Sequence, residues 1–225
     1  ERGIKMEVII VKNYEEASQK ACEVMLDVIK NKPNANLGMA TGSTPVRLYE
    51  LMREDHKVNG TSYKDIKSFN LDEYFGLDQS HPQSYHYFMC TNLFNELDID
   101  MNNVHVPKGQ GDIDEECAMY NKLLAENPID IQLLGLGSDG HIAFNEPGTP
   151  FNTLTHIAEL TEQTISDNAR FFESIEDVPT KACTMGLKSI MNAKKIVLIA
   201  TGKSKAEAVR QLINGEISEA WPCTI

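Results

Sequence analysis

Asp139, His141 and Glu146 lie within eight residues of one another. An imidazole beside two carboxylates suits proton transfer, because one carboxylate can fix the tautomer while the other ring nitrogen exchanges a proton. The same side-chain types can hold a metal ion. The sequence, however, has neither H-E-x-x-H nor a clustered histidine pair, and His81 and His86, five apart, would face different sides of a helix. Asp72 and Glu73 form a second acidic pair, directly after the strand-like run Ser68-Phe69-Asn70-Leu71. Neighbouring residues at a strand end point to opposite faces, which makes the two a poor dyad. One of them can face a cleft while the other meets solvent or a structural partner.

Glycine-bearing turns complete the set. Thr41-Gly42-Ser43-Thr44 and Thr201-Gly202-Lys203-Ser204-Lys205 each lead from a strand-like run into a helix-like one. Glycine lets backbone approach a ligand, a helix start offers free N–H groups, and hydroxyl or ammonium groups add donors. Two such turns at strand ends favour a phosphate. Neither matches G-x-x-x-x-G-K-[ST], which argues against a nucleoside triphosphate. Gly135-Leu136-Gly137-Ser138-Asp139-Gly140 does match the dinucleotide fingerprint, and Glu159 lies about where a ribose-binding acid would. Yet Phe144-Asn145-Glu146-Pro147-Gly148-Thr149-Pro150 follows, with prolines and a glycine where the crossover helix should run. No nicotinamide or flavin cofactor is expected, and no metal.

The elements that must position these loops alternate along the chain. Val8–Val11, Leu37–Ala40, Ser68–Leu71, Val104–Val106, Ile129–Leu134, His156–Leu160 and Ile196–Ala200 read as strands. Helical spacing runs from the capping residue Asn13 to about Lys32, onward from Pro45, and over His81–Phe94, Asp112–Glu126, Met185–Met191 and Lys203–Asn214. This alternation predicts an α/β fold, a mostly parallel sheet with helices on both faces. Ligands of open α/β sheets bind outside the carboxyl ends of the strands. The chemistry is thus assigned to Thr41–Thr44, Asp72–Gly76, Gly135–Pro147 and Thr201–Lys205. His56, His81, His86, His105 and His156 read as surface or hydrogen-bonded structural groups, and Trp221 and the methionines as packing.

The length of 225 residues suits one domain, and no repeat or linker divides it. Glu1 is no translation start and Met6 opens a strand-like run, so residues 1–5 read as an added remnant ahead of a domain spanning 6–225. The Trp221-Pro222 turn signal just before Ile225 leaves room for a further element beyond it. A net charge of -12 repels nucleic acid and anionic lipid, although local donors can still hold a small anion. No apolar run approaches the ~18–20 residues of a spanning helix, and no secretory signal is seen. Cys22, Cys90, Cys117, Cys183 and Cys223 are scattered, odd in number and without C-x-x-C, which fits reduced thiols in the cytoplasm.

Taken together, Leu71-Asp72-Glu73-Tyr74, the Gly135–Pro147 segment and Ala169-Arg170-Phe171-Phe172, with Ala40–Pro45 and Gly202–Lys205, strongly resemble the glucosamine-6-phosphate deaminase (isomerase) family. The similarity runs from about Met6 to Ile225. It implies a modified Rossmann-like α/β fold. It also implies aldose–ketose isomerisation of glucosamine 6-phosphate coupled to loss of ammonia, giving fructose 6-phosphate in amino-sugar catabolism, without metal or organic cofactor. By the same resemblance, His141 moves the proton that opens the pyranose ring, supported by Asp139 and Glu146. Asp72 takes the C2 proton and returns one to C1 through an enolamine. Gly42, Ser43, Thr44, Arg170 and Lys205 would hold the phosphate; Arg170 is implied by the resemblance alone.

One departure stands out. The regulated, hexameric branch of that family carries basic residues after the Asn-Glu-Pro loop, which bind an N-acetylated sugar phosphate, and a longer C-terminal region. Here Thr155-His156-Ile157-Ala158-Glu159 contains no Arg or Lys, which points to a monomer without that allostery. Related 6-phosphogluconolactonases share the fold and an Asp-Gly-His loop, but not Phe-Asn-Glu-Pro or Leu-Asp-Glu-Tyr. A non-catalytic sugar-phosphate sensor would usually bring a basic DNA-binding segment, and none is present. The expected partner is a small sugar phosphate.

Overall fold

Residues 6–225, those that the computed structural model describes, form eight strands and seven α-helices. The strands are β1 (Asn36–Met39), β2 (Lys67–Asn70), β3 (Asp72–Phe75), β4 (Val104–His105), β5 (Ile131–Leu134), β6 (His156–Glu159), β7 (Lys181–Thr184) and β8 (Ile196–Leu198). The helices are α1 (Tyr14–Asn31), α2 (Val46–Asn59), α3 (Tyr85–Asn92), α4 (Ile113–Glu126), α5 (Glu162–Asn168), α6 (Leu187–Met191) and α7 (Ala206–Asn214). The remnant expected at residues 1–5 lies outside the described residues. No helix among the described residues is long and apolar enough to cross a membrane.

Capping sets where the long helices begin. Asn13 Oδ1 accepts the Glu16 N–H at 2.9 Å, and Glu16 reaches back to the Lys12 N–H at 2.9 Å. Asp112 Oδ1 accepts the N–H groups of Asp114 and Glu115 at 3.0 and 3.1 Å at the start of α4. Ala21, Cys22, Met25 and Ile29 then form the buried stripe of α1.

Five strands pair in parallel in the order β4-β2-β1-β5-β8. Every residue of β5 is buried, as a strand covered on both faces requires. From β1 the chain steps outward to β2 and β4, then returns to β5 on the far side of β1 and later adds β8. Right-handed crossovers running in opposite directions lay their helices on opposite faces, so the expected two-sided layering follows. The reversal falls between β1 and β5. Beyond the carboxyl ends of two such strands an open sheet leaves a crevice.

A second, antiparallel sheet has the order β3-β7-β6 and was not anticipated. It corrects the reading of Asp72–Gly76 as a loop. Only Leu71 separates β2 from β3; its N–H donates to Met39 O at 3.0 Å and its carbonyl accepts the Met185 N–H at 2.8 Å. Val8–Val11 is not a strand: no strand pairs with it among the described residues, and Ile10 is 92% exposed. A β-branched run becomes a strand only where a neighbour supplies its hydrogen bonds. The helix expected over His81–Phe94 begins at Tyr85, because Ser84 Oγ caps the Tyr87 N–H at 3.0 Å and residues 81–84 turn. Pro45 is the cap of α2 and not its first residue.

Gly38 in β1 and Gln132 in β5 are register partners. A Cβ on Gly38 would lie 2.1 Å from Gln132 Oε1 and 2.4 Å from its Cδ, and Gln132 is fully buried. Gly38→Ala should therefore destabilise the protein by about 1–3 kcal/mol, read from urea denaturation. The loss should shrink in a Gln132→Ala background. An unchanged midpoint in the single variant would contradict the close β1–β5 packing.

Candidate active site

Four loops converge because the strands that carry them are neighbours and parallel. β2, β1, β5 and β8 are consecutive, so Leu71-Asp72, Thr41–Thr44, Gly135–Pro147 and Thr201–Lys205 leave the same edge of the sheet. Thr44 Oγ1 sits 3.9 Å from the point a Cβ on Gly135 would occupy, so the loops after β1 and β5 touch at the crevice.

The loop after β5 holds the acid–base cluster. Asp139 Oδ1 accepts the His141 N–H at 3.1 Å and lies 2.7 Å from His141 Nδ1. Asp139, His141 and Glu146 each place one side-chain N or O within 4.8 Å of the others. Burial works against ionisation of Asp139, but the backbone and ring N–H groups of His141 outweigh it and hold this carboxyl below its ordinary value. Burial raises Glu146, Asp139 adds to the rise, and His141 opposes it. One carboxylate therefore stays charged beside the imidazole while the other keeps a proton more readily, which is how two acids divide a task. Two carboxylates and an imidazole at this spacing could also ligate a divalent cation.

The glycines of this loop serve its packing. A Cβ on Gly137 would lie 2.1 Å from His141 Nδ1, and one on Gly140 would lie 2.7 Å from the Trp221 ring. The Gly137 N–H donates to His141 O at 3.0 Å. Asn145 is fully buried, and its Nδ2 donates to Ile142 O at 2.9 Å and Met185 O at 2.8 Å. These bonds hold Ala143 at φ 54°, a strained conformation for a residue with a Cβ.

Asp72 and Glu73 open β3, and both are buried. Glu73 has the structural partner: it accepts the N–H groups of Tyr74 and Tyr85 at 2.9 Å and of His86 at 3.0 Å, at the start of α3. Burial pushes its carboxyl up to about 7 despite those three bonds. The Asp72 carboxyl has no hydrogen bond among the described residues. Burial, and then the charge of Glu73, push it up to about 8. Asp72 pairs in register with Thr184 of β7, whose Oγ1 accepts the Phe144 N–H at 3.2 Å. This links the Asp72 strand to the His141 loop. The Tyr74 ring packs 4.7 Å from Tyr85 and 6.4 Å from Phe144, centroid to centroid. Thr184 and Tyr85 escaped the sequence reading, which had no signal for them outside the recognised motifs.

The two anion loops are alike in backbone. Gly42 and Gly202 both stand at φ 91° with open space about the missing Cβ. The N–H groups of Gly42, Ser43 and Thr44, and those of Gly202, Lys203 and Ser204, donate to no protein backbone acceptor among the described residues. The Tyr14 hydroxyl braces the first loop, 2.9 and 2.8 Å from the carbonyl oxygens of Ser43 and Thr44, and accepts the Arg47 N–H at 3.2 Å. Lys205 closes a 3-10 turn that leads into α7. Arg170 makes no hydrogen bond to these loops among the described residues. It is exposed on a 3-10 turn after α5, with its guanidinium 4.6 Å above the Phe171 ring. Its segment is tied down by Asn168 Nδ2, which donates to the Tyr74 hydroxyl at 3.0 Å, and by Phe172 stacked on His81. The other histidines have the structural roles expected: His56 and His156 meet carbonyl oxygens of Thr61 and Leu154, and His105 stacks on Phe69.

The state of Asp72 has a consequence for stability. Its carboxyl titrates near 3.8 when free and near 8 in the fold, so between those values the native state holds a proton the unfolded state has lost. Wild-type stability therefore falls as pH rises across that window. Asp72→Asn removes this linkage. Its advantage over wild type should grow from about pH 4 to about pH 8 and level off above, by up to ~1.4 kcal/mol for each pH unit. Denaturation midpoints across that range measure it, and a difference independent of pH would contradict a buried, unpartnered carboxyl.

The site can now be set beside known proteins. The model of the family described as Glucosamine-6-phosphate isomerases/6-phosphogluconolactonase matches residues 12–225. A glucosamine-6-phosphate deaminase of Thermoanaerobacter sp. (strain X514) is 51% identical over 222 residues, covering 98% of this chain and 88% of that protein. One of Mycoplasma mycoides subsp. mycoides SC is 49% identical over 221 residues, covering 98% and 90%. The solved structure of a monomeric glucosamine-6-phosphate deaminase superposes with TM-score 0.92 at 45% identity, covering 97% of this chain and 92% of that one. The 6-phosphogluconolactonase of Trypanosoma brucei, 19% identical, has TM-score 0.79 over 98% of this chain and 91% of its own, and shares the fold. With the family match running over nearly the whole chain, the protein belongs to the glucosamine-6-phosphate isomerase/6-phosphogluconolactonase family.

Proposed function

We propose that the protein converts glucosamine 6-phosphate to fructose 6-phosphate and ammonia, as its most similar relatives are named for doing. The observation that carries this reading is the meeting, at one sheet edge, of a buried carboxyl without a hydrogen bond, an Asp–His–Glu cluster and two loops of free N–H groups. The loops after β1 and β8 take the phosphate on backbone N–H groups of Gly42, with Ser43, Thr44 and Lys205 adding donors. Arg170 joins them once its guanidinium leaves the Phe171 ring.

His141, with Asp139 fixing its tautomer, moves the proton that opens the sugar ring, and Glu146 supports the exchange. Asp72 then takes the C2 proton and returns one to C1 through the enolamine; water adds to the resulting C2 imine, and the C–N bond breaks to leave the ketone and ammonia. Burial and the charge of Glu73 favour the protonated form of Asp72. The substrate's ammonium group at C2 favours the carboxylate, so binding itself readies the base. Proton transfer between placed acids and bases is enough for this isomerisation. We infer further that the protein acts as a monomer, the state given for its structural relative.

The test is a coupled assay for ammonia and fructose 6-phosphate, run before and after dialysis against chelator. Turnover should survive the chelator, and Asp72→Asn should lower it by about 10²–10⁴-fold. Absence of product, or near wild-type C2 solvent exchange in Asp72→Asn, would overturn the reading.

The effector question rests on β6. His156–Glu159 carries no Arg or Lys, and Glu159 faces Lys181 in register, which offsets the nearest cation. A phosphate effector finds no surplus of donors there, and an effector must bind one state better than another. Initial rates should be hyperbolic and insensitive to N-acetylglucosamine 6-phosphate, apart from weak competition. A sigmoidal curve made hyperbolic by that compound would show a working second site.

A further inference from the structure

Cys117 on α4 and Cys183 on β7 bring their Sγ atoms to 2.9 Å. They are 66 residues apart in the chain, both buried, and both free thiols. The other cysteines have different neighbours: Cys90 meets His86 Nδ1 at 3.9 Å, and Cys223 meets Ala208 O at 3.7 Å. No step of the proposed reaction uses a thiol. We propose that Cys117 and Cys183 form an oxidation site, at which a peroxide closes an intramolecular disulfide that ties α4 to the middle strand of the small sheet.

A disulfide needs its sulfurs at about 2.04 Å, so closure asks the two atoms to approach by less than about 1 Å. The pair is also divided into attacker and resolver. Either thiol can donate across this contact; with Cys183 as the donor the Cys117 thiol is lowered, while that bond, burial and the charge of Asp72 keep the proton on Cys183. Cys117 is also the better exposed of the two, at 6% against 1%. Its thiolate attacks a peroxide oxygen; the S–O bond forms, the O–O bond breaks, and hydroxide leaves. The Cys183 sulfur then attacks the Cys117 sulfur; the S–S bond forms, the S–O bond breaks, and the Cys183 proton leaves with the oxygen as water. Two thiols lose two electrons in all, and the peroxide becomes two waters once the hydroxide is protonated.

The tether would reach the site. Cys183 is the register partner of Glu73, and the adjacent Thr184 is the partner of Asp72. Closing a loop of this length also restricts the unfolded chain, so the oxidised protein should melt at a higher temperature.

The experiment treats the purified protein with hydrogen peroxide at about one equivalent, blocks the remaining thiols and maps non-reduced tryptic peptides. The expected result is a link between peptides 109–122 and 182–188, loss of two of the five thiols, and a midpoint raised by a few degrees, all reversed by dithiothreitol. In Cys183→Ser, Cys117 should stop at a sulfenic acid that dimedone traps. Oxidation of Cys90 ahead of this pair, thiols that stay intact, or wild-type Cys117 reaching sulfinic acid without a link would overturn the proposal. The peptide map of the wild type decides it even where the variant does not fold.

Discussion

A carboxyl group buried without a hydrogen bond is pushed toward its protonated form, and Asp72 is held in that condition where the chain passes between sheets. Leu71 is the only residue between β2 and β3, and its two backbone bonds, to Met39 and Met185, fasten it to both sides. With Leu71 fixed, Asp72 opens β3 in register with Thr184. Glu73 is fastened in turn by the N–H groups of Tyr85 and His86 at the start of α3 and by that of Tyr74 in β3, so its charge stays beside Asp72. In the proposed reading this costly carboxyl becomes a useful base when a cation binds beside it. The rest of the site has to bring that cation in the right orientation.

Orientation comes from backbone more than from side chains. The His141 ring lies against Gly137 so closely that any side chain there would displace it. The turn that follows is closed by the Asn145 amide and accepts strain at Ala143. Strain of this kind persists only where surrounding bonds over-determine it. Thr184 Oγ1, holding the Phe144 N–H, makes the imidazole loop and the Asp72 strand parts of one frame.

Much of this was legible in the residues. Alternating strands and helices predicted the parallel sheet, and the loops after β1, β5 and β8 were singled out because ligands gather at the carboxyl ends of such strands. The small sheet was not legible. Lys181–Thr184 carries no alternation that marks it out, and its pairing with Asp72–Phe75 joins segments about a hundred residues apart. Val8–Val11 misled for the opposite reason, since its composition is that of a strand but pairing is a property of the neighbour. Gly135–Gly140 fits a dinucleotide pattern by spacing, and only the prolines and glycine that follow showed that the glycines had another purpose. Arg170 came from the resemblance alone, and its stacking on Phe171 shows why spacing could not have placed it.

The charge of the protein fits this arrangement. At -12 the surface repels anions in general, yet the substrate proposed here carries a phosphate. Surface charges beyond about 8 Å are largely screened at physiological salt, so the donors in direct reach decide binding. Those donors are N–H groups fixed in two loops, with open space above each glycine. A fixed N–H loses little freedom on binding, whereas a long cationic side chain must first be ordered. A substrate that carries a phosphate at one end and an ammonium group near the other matches this site in both signs. In the proposed reading the backbone loops take the anion, and the carboxyl of Asp72 takes the cation. A neutral lactone ring would leave that carboxyl without a charge to answer, so the buried acid itself favours the amino sugar.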